Sequence, residues 1–281
     1  MLRRLAVVGL GLLGGSAAKA ARTRGLVREI VAVGRRAERL APALDDGVVD
    51  RATADLVEGV READFVLLAT PVATLEALLS EVWQVAEADA ILSDVGSTKS
   101  AIVNVAERLT CSRALAFVGG HPMAGSEQGG YAGARPDLFD GATVILTPTE
   151  RTDPHAVKRV SEFWEALGGR VVTLDPEVHD RVVAAVSHLP HLVAFALVDA
   201  AARVDPAAFG FSGRGFADTT RIAASDPQVW RDIFLSNREA LSESVAAFRS
   251  ALEDLERLIA VPDATGLEAT LARIRRIRCA L

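Results

Sequence analysis

The chain has 281 residues, half of them hydrophobic, enough for one large domain or two of ordinary size around a substantial core. A formal net charge of -6 excludes the broad basic footprint of a nucleic-acid-binding protein, so Arg273, Arg275, Arg276 and Arg278 read as the solvated face of a last helix. Cys111 and Cys279 have neither disulfide-framework nor metal spacing, which suits a reducing cytoplasm and predicts no metal site.

In chain order, residues 5–8 form a first strand and 16–24 a helix. Further strands are expected at 30–33, 65–69, 90–93, 116–118, 143–146 and 170–174, with a helix over 154–167 before the last. Short β-branched runs alternating with amphipathic segments specify a doubly wound α/β domain with a parallel sheet. Past Asp175 and Pro176 strand patterns stop. The expected division is a dinucleotide-binding domain over 1–174 and an all-α domain over 175–281.

In the second half one helix is predicted over about 177–203, bent or opened at Pro190, whose missing amide hydrogen and ring crowd the preceding turn. A single long helix follows, with Asp226 as N-cap and Pro227 in its first position. On it Leu241, Val245, Phe248, Leu252, Leu255 and Ile259 recur at alternating spacings of four and three, a seam for another helix within the bundle or in a second copy. The start of the chain imitates a secretory signal, but glycines at 9, 11, 14 and 15 have no place in one. No later run reaches the roughly 18 uninterrupted apolar residues of a membrane span, and no membrane association is expected.

Gly9-Leu10-Gly11-Leu12-Leu13-Gly14 follows a strand, opens a helix and precedes a second strand, the context that turns a GxGxxG from a weak signal into a dinucleotide-binding turn. Where NAD-binding units usually carry an acid at the end of the second strand, this chain has Gly34-Arg35-Arg36. Those arginines suit a 2'-phosphate, so NADP is the expected cofactor, with NAD as the alternative. Two more turns at strand ends, one holding Thr70 and Pro71 and one holding Ser97, should face it. His121 stands at the lip of a glycine-rich turn, where an imidazole can exchange protons near neutral pH.

Four segments in this order, DVGSTKS from Asp94, GGHPMAGSE from Gly119, SHLPH from Ser187 and TTRIAASDPQVWRDIF from Thr219, resemble the successive motifs of the prephenate/arogenate dehydrogenase family over nearly the whole chain. The resemblance implies oxidative decarboxylation of prephenate to 4-hydroxyphenylpyruvate with hydride transfer to NAD(P)+, in tyrosine biosynthesis in the cytoplasm. It implies His121 as the base for the ring hydroxyl, Ser97 as a hydrogen-bonding partner near that hydroxyl and the nicotinamide that fixes the histidine's orientation, and Arg221 as the partner of a substrate carboxylate. Ser97 could equally be the N-cap of the helix that follows it. Ser126, Glu127, His188 and His191 would line the substrate pocket, and the C-terminal helices would form a homodimer. His179, His188 and His191 could suggest a metal, but no carboxylate or cysteine completes a site and the chemistry needs none. The neutral stretch Gln128-Gly129-Gly130-Tyr131 favours prephenate over arogenate, while Glu127 keeps a dual-specific enzyme open. A non-catalytic NADP-binding sensor is the rival reading outside enzymes.

Overall fold

The computed structural model describes residues 2–113, 115–126 and 128–280; Glu127 lies outside the described residues. Eight strands form one sheet: β1 (Leu2–Val8), β2 (Val27–Val33), β3 (Arg51–Thr53), β4 (Phe65–Leu68), β5 (Ile91–Asp94), β6 (Ala116–Pro122), β7 (Thr143–Thr147) and β8 (Arg170–Thr173). Their order is β3-β2-β1-β4-β5-β6-β7-β8. Helices α1 (Leu12–Thr23), α2 (Ala41–Asp45), α3 (Leu56–Val60), α4 (Val72–Val85), α5 (Ser100–Leu109) and α6 (Pro154–Ala166) are interleaved with them.

Alternate strand residues face opposite layers. Leu5, Val7, Phe65 and Leu67 pack with α1 and α6 residues such as Ala17, Ala21, Val160 and Trp164. Ala6, Val8, Val66 and Leu68 pack with Leu75, Leu79 and Trp83 of α4 and Ile102 and Val105 of α5. Burial on both faces is why these strands read as continuous apolar runs. The sheet is doubly wound as expected, with two differences. The eighth strand, β3, is a three-residue edge too short and polar for a periodicity signal. Strand β7 pairs antiparallel with β6, and β8 follows β7 in parallel, so the sheet is mixed.

The chain is helical after β8: α7 (Pro176–Val183), a π-turn over Ala184–His188, α8 (Leu189–Val204), α9 (Arg214–Thr220), α10 (Pro227–Ser236), α11 (Arg238–Ala260) and α12 (Ala264–Cys279). The π-turn ends two residues before Pro190, which lacks the amide hydrogen that a regular turn would use. The single long helix expected from Asp226 onward is two helices. Asp226 does cap α10, accepting from the amides of Gln228 and Val229, but Asn237 takes φ -118 and ψ 34 and breaks the path before α11.

Against the sequence expectation, the stretch Pro176–Val204 is by length and composition able to cross a membrane, with mean hydropathy 1.7 over an 18-residue window. A criterion of uninterrupted apolar residues passes over it because His179, Asp180 and His188 intervene. All three side chains are buried, and each bonds to protein partners.

Candidate functional site

Parallel alignment of β1, β4, β5 and β6 brings their C-terminal ends to one edge of the sheet. Between β1 and β4 the winding reverses, because β2 lies on the other side of β1, and such a switch point is where open α/β sheets bind ligands. Gly9 turns there with φ +99, and a β carbon on it would stand 2.6 Å from the Ala69 carbonyl oxygen. A β carbon on Gly14 would meet the Gly9 oxygen at 2.1 Å, so α1 approaches the strand as no other residue would allow. Gly11 is the N-cap of α1 and has nothing within 4 Å of its missing β carbon. Leu12 and Leu13 begin α1 beside that space, and the first amides of a helix, which have no partner within it, are donors that a pyrophosphate can use.

The turn after β4 joins this site. The Thr70 methyl lies 2.9 Å from where a Gly9 β carbon would be, and Pro71 is the N-cap of α4. Arg35 and Arg36 follow β2 and are exposed. The turn after β5 carries Ser97, partly buried. Ser97 is not the helix cap: Lys99 holds that position without a side-chain cap, and the Lys99 and Ser100 amides donate instead to Asp180, at 2.8 and 2.9 Å.

His121 lies on β6, paired across the ladder with Ile145, and is 7% exposed. Its Nδ1 is 2.9 Å from Nε2 of His179, whose Nδ1 is 2.8 Å from Oδ1 of Asp180. The orientation of His121 thus comes from His179; Ser97 makes no hydrogen bond to it among the described residues. Burial, then the neighbouring His179, Lys99 and His188, hold His121 well below the usual imidazole range and hence neutral at pH 7. Burial alone would raise the Asp180 carboxyl. Hydrogen bonds from His179, Ser100 and Lys99 outweigh that and lower it to about 2.

Beneath this row Lys99 is fully buried, paired with Asp94 and donating from Nζ to the Gly120 carbonyl at 3.0 Å. Asp94 also accepts from the amides of Gly96 and Gly120, at 2.8 and 3.1 Å. The pair fixes the Ser97 turn against the strand that bears His121.

The π-turn delivers His188 to the same interior. Asn237 bridges the Asp180 carbonyl at 2.8 Å and His188 Nδ1 at 3.2 Å, while His188 Nε2 is buried without a partner. Burial lowers the His188 pKa to about 4. His191 Nδ1 donates to the Ser187 carbonyl at 2.9 Å, and its ring stacks on Trp230 with centroids 3.4 Å apart. Burial lowers the His191 pKa, and the charge of Arg221, which begins a 3-10 turn, adds to that. Ser126 is exposed, its Oγ accepting from the Gln128 amide at 3.1 Å. Tyr131 turns away to α1: Lys19 lies 4.3 Å over its ring, and its hydroxyl donates to Asp46 at 2.9 Å.

Sequence reasoning missed Asp94, Lys99, Asp180 and Asn237, and it considered His179 only as a metal ligand. Buried polar residues among apolar neighbours leave a faint trace, the adjacent pair His179-Asp180 at a helix start being the one available signal.

Residues 17–173 match the family model described as the nucleotide-binding domain of prephenate dehydrogenase, and residues 175–273 match its dimerization domain. The prephenate dehydrogenase of Bacillus subtilis is 36% identical over 93% of this chain and 71% of its own length. The cyclohexadienyl dehydrogenase of Zymomonas mobilis is 33% identical over 100% of this chain and 97% of its own. Prephenate dehydrogenase from A. aeolicus, solved with hydroxyphenyl propionate and NAD+, superposes with TM-score 0.93 at 37% identity, covering 100% of this chain and 98% of that one. With an open nucleotide cradle, a buried histidine at the same sheet edge and these matches along its length, the chain belongs to the prephenate dehydrogenase family of NAD(P)-dependent oxidoreductases.

Proposed function

We propose that this enzyme oxidatively decarboxylates prephenate to 4-hydroxyphenylpyruvate. The observation that carries the reading is His121: buried, held neutral, and with Nδ1 engaged by His179 so that Nε2 is its remaining ring nitrogen. A nicotinamide held at the glycine turn would supply the acceptor for the hydride on the ring carbon that bears the hydroxyl. As that hydride leaves, His121 takes the hydroxyl proton at Nε2, the ring carboxylate departs as carbon dioxide, and the ring becomes aromatic. Arg221 pairs with a substrate carboxylate through its planar guanidinium. His188, His191, Ser126 and Glu127 would line the substrate pocket, and Ser97 would hydrogen-bond near the hydroxyl and the nicotinamide.

Gly9, Gly11, Leu12, Leu13, Gly14, Thr70 and Pro71 hold the dinucleotide. Exposed Arg35 and Arg36, standing where an acid would meet a ribose hydroxyl, favour NADP. Apart from Glu127, the loop from Met123 to Tyr131 carries no acidic residue to meet the ammonium of arogenate, which favours prephenate; Glu127 is the residue through which a dual-specific enzyme would work.

The same reading divides the chain at 174, supported by the end of β8 at Thr173 and the meeting of the two family matches. It makes 175–281 the dimerisation unit. Of the seam residues, Leu241 is buried within the chain while Phe248, Leu252 and Ile259 of α11 are exposed, as are Ile274 and Ile277 of α12 outside the seam. Apolar surface of this kind on two neighbouring helices suits a second copy. The exposed free thiols of Cys111 and Cys279 suit the cytoplasm.

The test mixes enzyme, NADP and prephenate and follows reduced-nicotinamide absorbance, then repeats with arogenate, with NAD and with His121→Asn. Turnover of prephenate that the substitution abolishes is expected. Absence of turnover with either substrate refutes the activity, and equal efficiency with both cofactors refutes the preference.

A further inference from the structure

Asp180 sits at the end of a chain of contacts whose hydrogens can be assigned by elimination. Its carboxylate accepts the Lys99 amide on Oδ1 and the Ser100 amide on Oδ2, the first amides of α5. Held ionised by those donors, it can only accept, so the 2.8 Å contact with His179 requires a hydrogen on His179 Nδ1. A neutral imidazole carries one such hydrogen. His179 Nε2 is therefore a lone pair, and the 2.9 Å contact with His121 requires the hydrogen to be on His121 Nδ1. The other neutral tautomer of His121 would set two lone pairs against each other in a buried site.

We propose that His179 and Asp180 are positioning residues of the dehydrogenase reaction, locking His121 as its Nδ1–H tautomer so that Nε2 presents a lone pair to the substrate hydroxyl. The proposal rests on His121 being the base. Once His121 has taken its proton, the imidazolium keeps donating from Nδ1 to His179, and the Asp180 charge two links away stabilises it. Asp180 itself stays a carboxylate throughout. Asn237 holds the Asp180 backbone from below, and the α5 amides hold its side chain, so the row joins the helical half of the chain to the turn that carries Ser97.

Only five histidines are present, so histidine labelled with 15N resolves their tautomers in the cofactor-free enzyme without any appeal to activity. His121 and His179 should both show hydrogen on Nδ1, with assignment from His121→Asn and His179→Gln. In kinetics, His179→Leu should lower kcat by about tenfold or more, within the range of a general base's contribution, while KM for the cofactor stays put. His179→Gln, whose Oε1 can still accept from His121, should recover part of that loss. The charged and titratable groups around His121 are Lys99, His179, Asp180 and His188. Of these Asp180 is the one that raises the His121 pKa, so Asp180→Asn should move the acid limb of kcat/KM to lower pH. A spectrum with His121 hydrogenated on Nε2, or a His179→Leu enzyme with wild-type kcat and pH profile, overturns the proposal. A fully active His121→Asn overturns the base assignment beneath it, whatever the spectrum shows.

Discussion

Asn237 ends α10 and turns its side-chain amide onto the Asp180 carbonyl 2.8 Å away, reaching His188 Nδ1 at 3.2 Å with the same nitrogen. One residue thus stops a helix, braces the row behind His121 and sets which nitrogen of His188 accepts. Asn237→Leu should leave His188 Nδ1 buried and unpaired at a cost of about 1–3 kcal/mol, while the Asp180 carbonyl loses one of two donors and keeps the Ala184 amide. Thermal unfolding at matched protein concentration should show a lower Tm, and an unchanged Tm would mean that neither bond matters to the fold.

Lys99 and Asp94 form an ion pair with both side chains at 0% exposure. Removing one charge strands the other, so Lys99→Met should destabilise by about 3–5 kcal/mol. Adding Asp94→Asn removes the stranded charge and should return part of that stability in urea titrations; a double variant weaker than the single one would sink the account.

Gly11→Ala separates folding from cofactor binding. Free space around that position means that the fold should tolerate the new methyl, with Tm close to wild type. Dinucleotide affinity should nevertheless fall at least about tenfold, or roughly 1.4 kcal/mol, because the methyl occupies the pyrophosphate approach. Fluorescence titration against NADP and NAD reads the effect, and wild-type affinity would relocate the cradle.

Arg35→Ala with Arg36→Ala should raise KM for NADP while leaving KM for NAD nearly unchanged. Charge-assisted bonds to a phosphate contribute about 1.5–3 kcal/mol, a shift in the cofactor ratio of at least about tenfold. An equal effect on both cofactors would remove these arginines from the 2'-phosphate.

Stability should decline in acid. Burial lowers the pKa of His121, His179, His188 and His191 in the folded state, so the unfolded chain binds protons first. Their contribution is complete above the ordinary imidazole range near 6.5 and is lost as pH falls toward the folded values, about 4 for His188. Asp180, lowered to about 2, adds a second loss below about 4. Denaturant midpoints measured from pH 7.5 to 4.5 should fall steadily, and a flat profile would mean that these rings are solvated.

The dinucleotide turn, the cap at Asp226 and the disturbance at Pro190 were legible because each is a local backbone demand written in consecutive residues, whereas the turn expected at His121 is the end of a longer β6, held in the ladder by β7. Strand β3 and the reversal of β7 were not, since a three-residue edge has no period and strand direction depends on the connection rather than on the strand. The break at Asn237 escaped for a related reason: apolar spacing runs on through it, and only its distant partners explain why the helix stops there.

What the sequence by itself determined is the kind of chemistry: a glycine turn suited to pyrophosphate and a histidine placed among glycines and a proline, both properties of short segments. Tertiary structure alone decided how that histidine is held. His121 and His179 are separated by 58 residues, and Lys99 and Asp180 by 81. Such pairs exist only when α7 docks against the start of α5 and the end of β6, where burial strips away water and leaves each polar atom to find its partner across the fold.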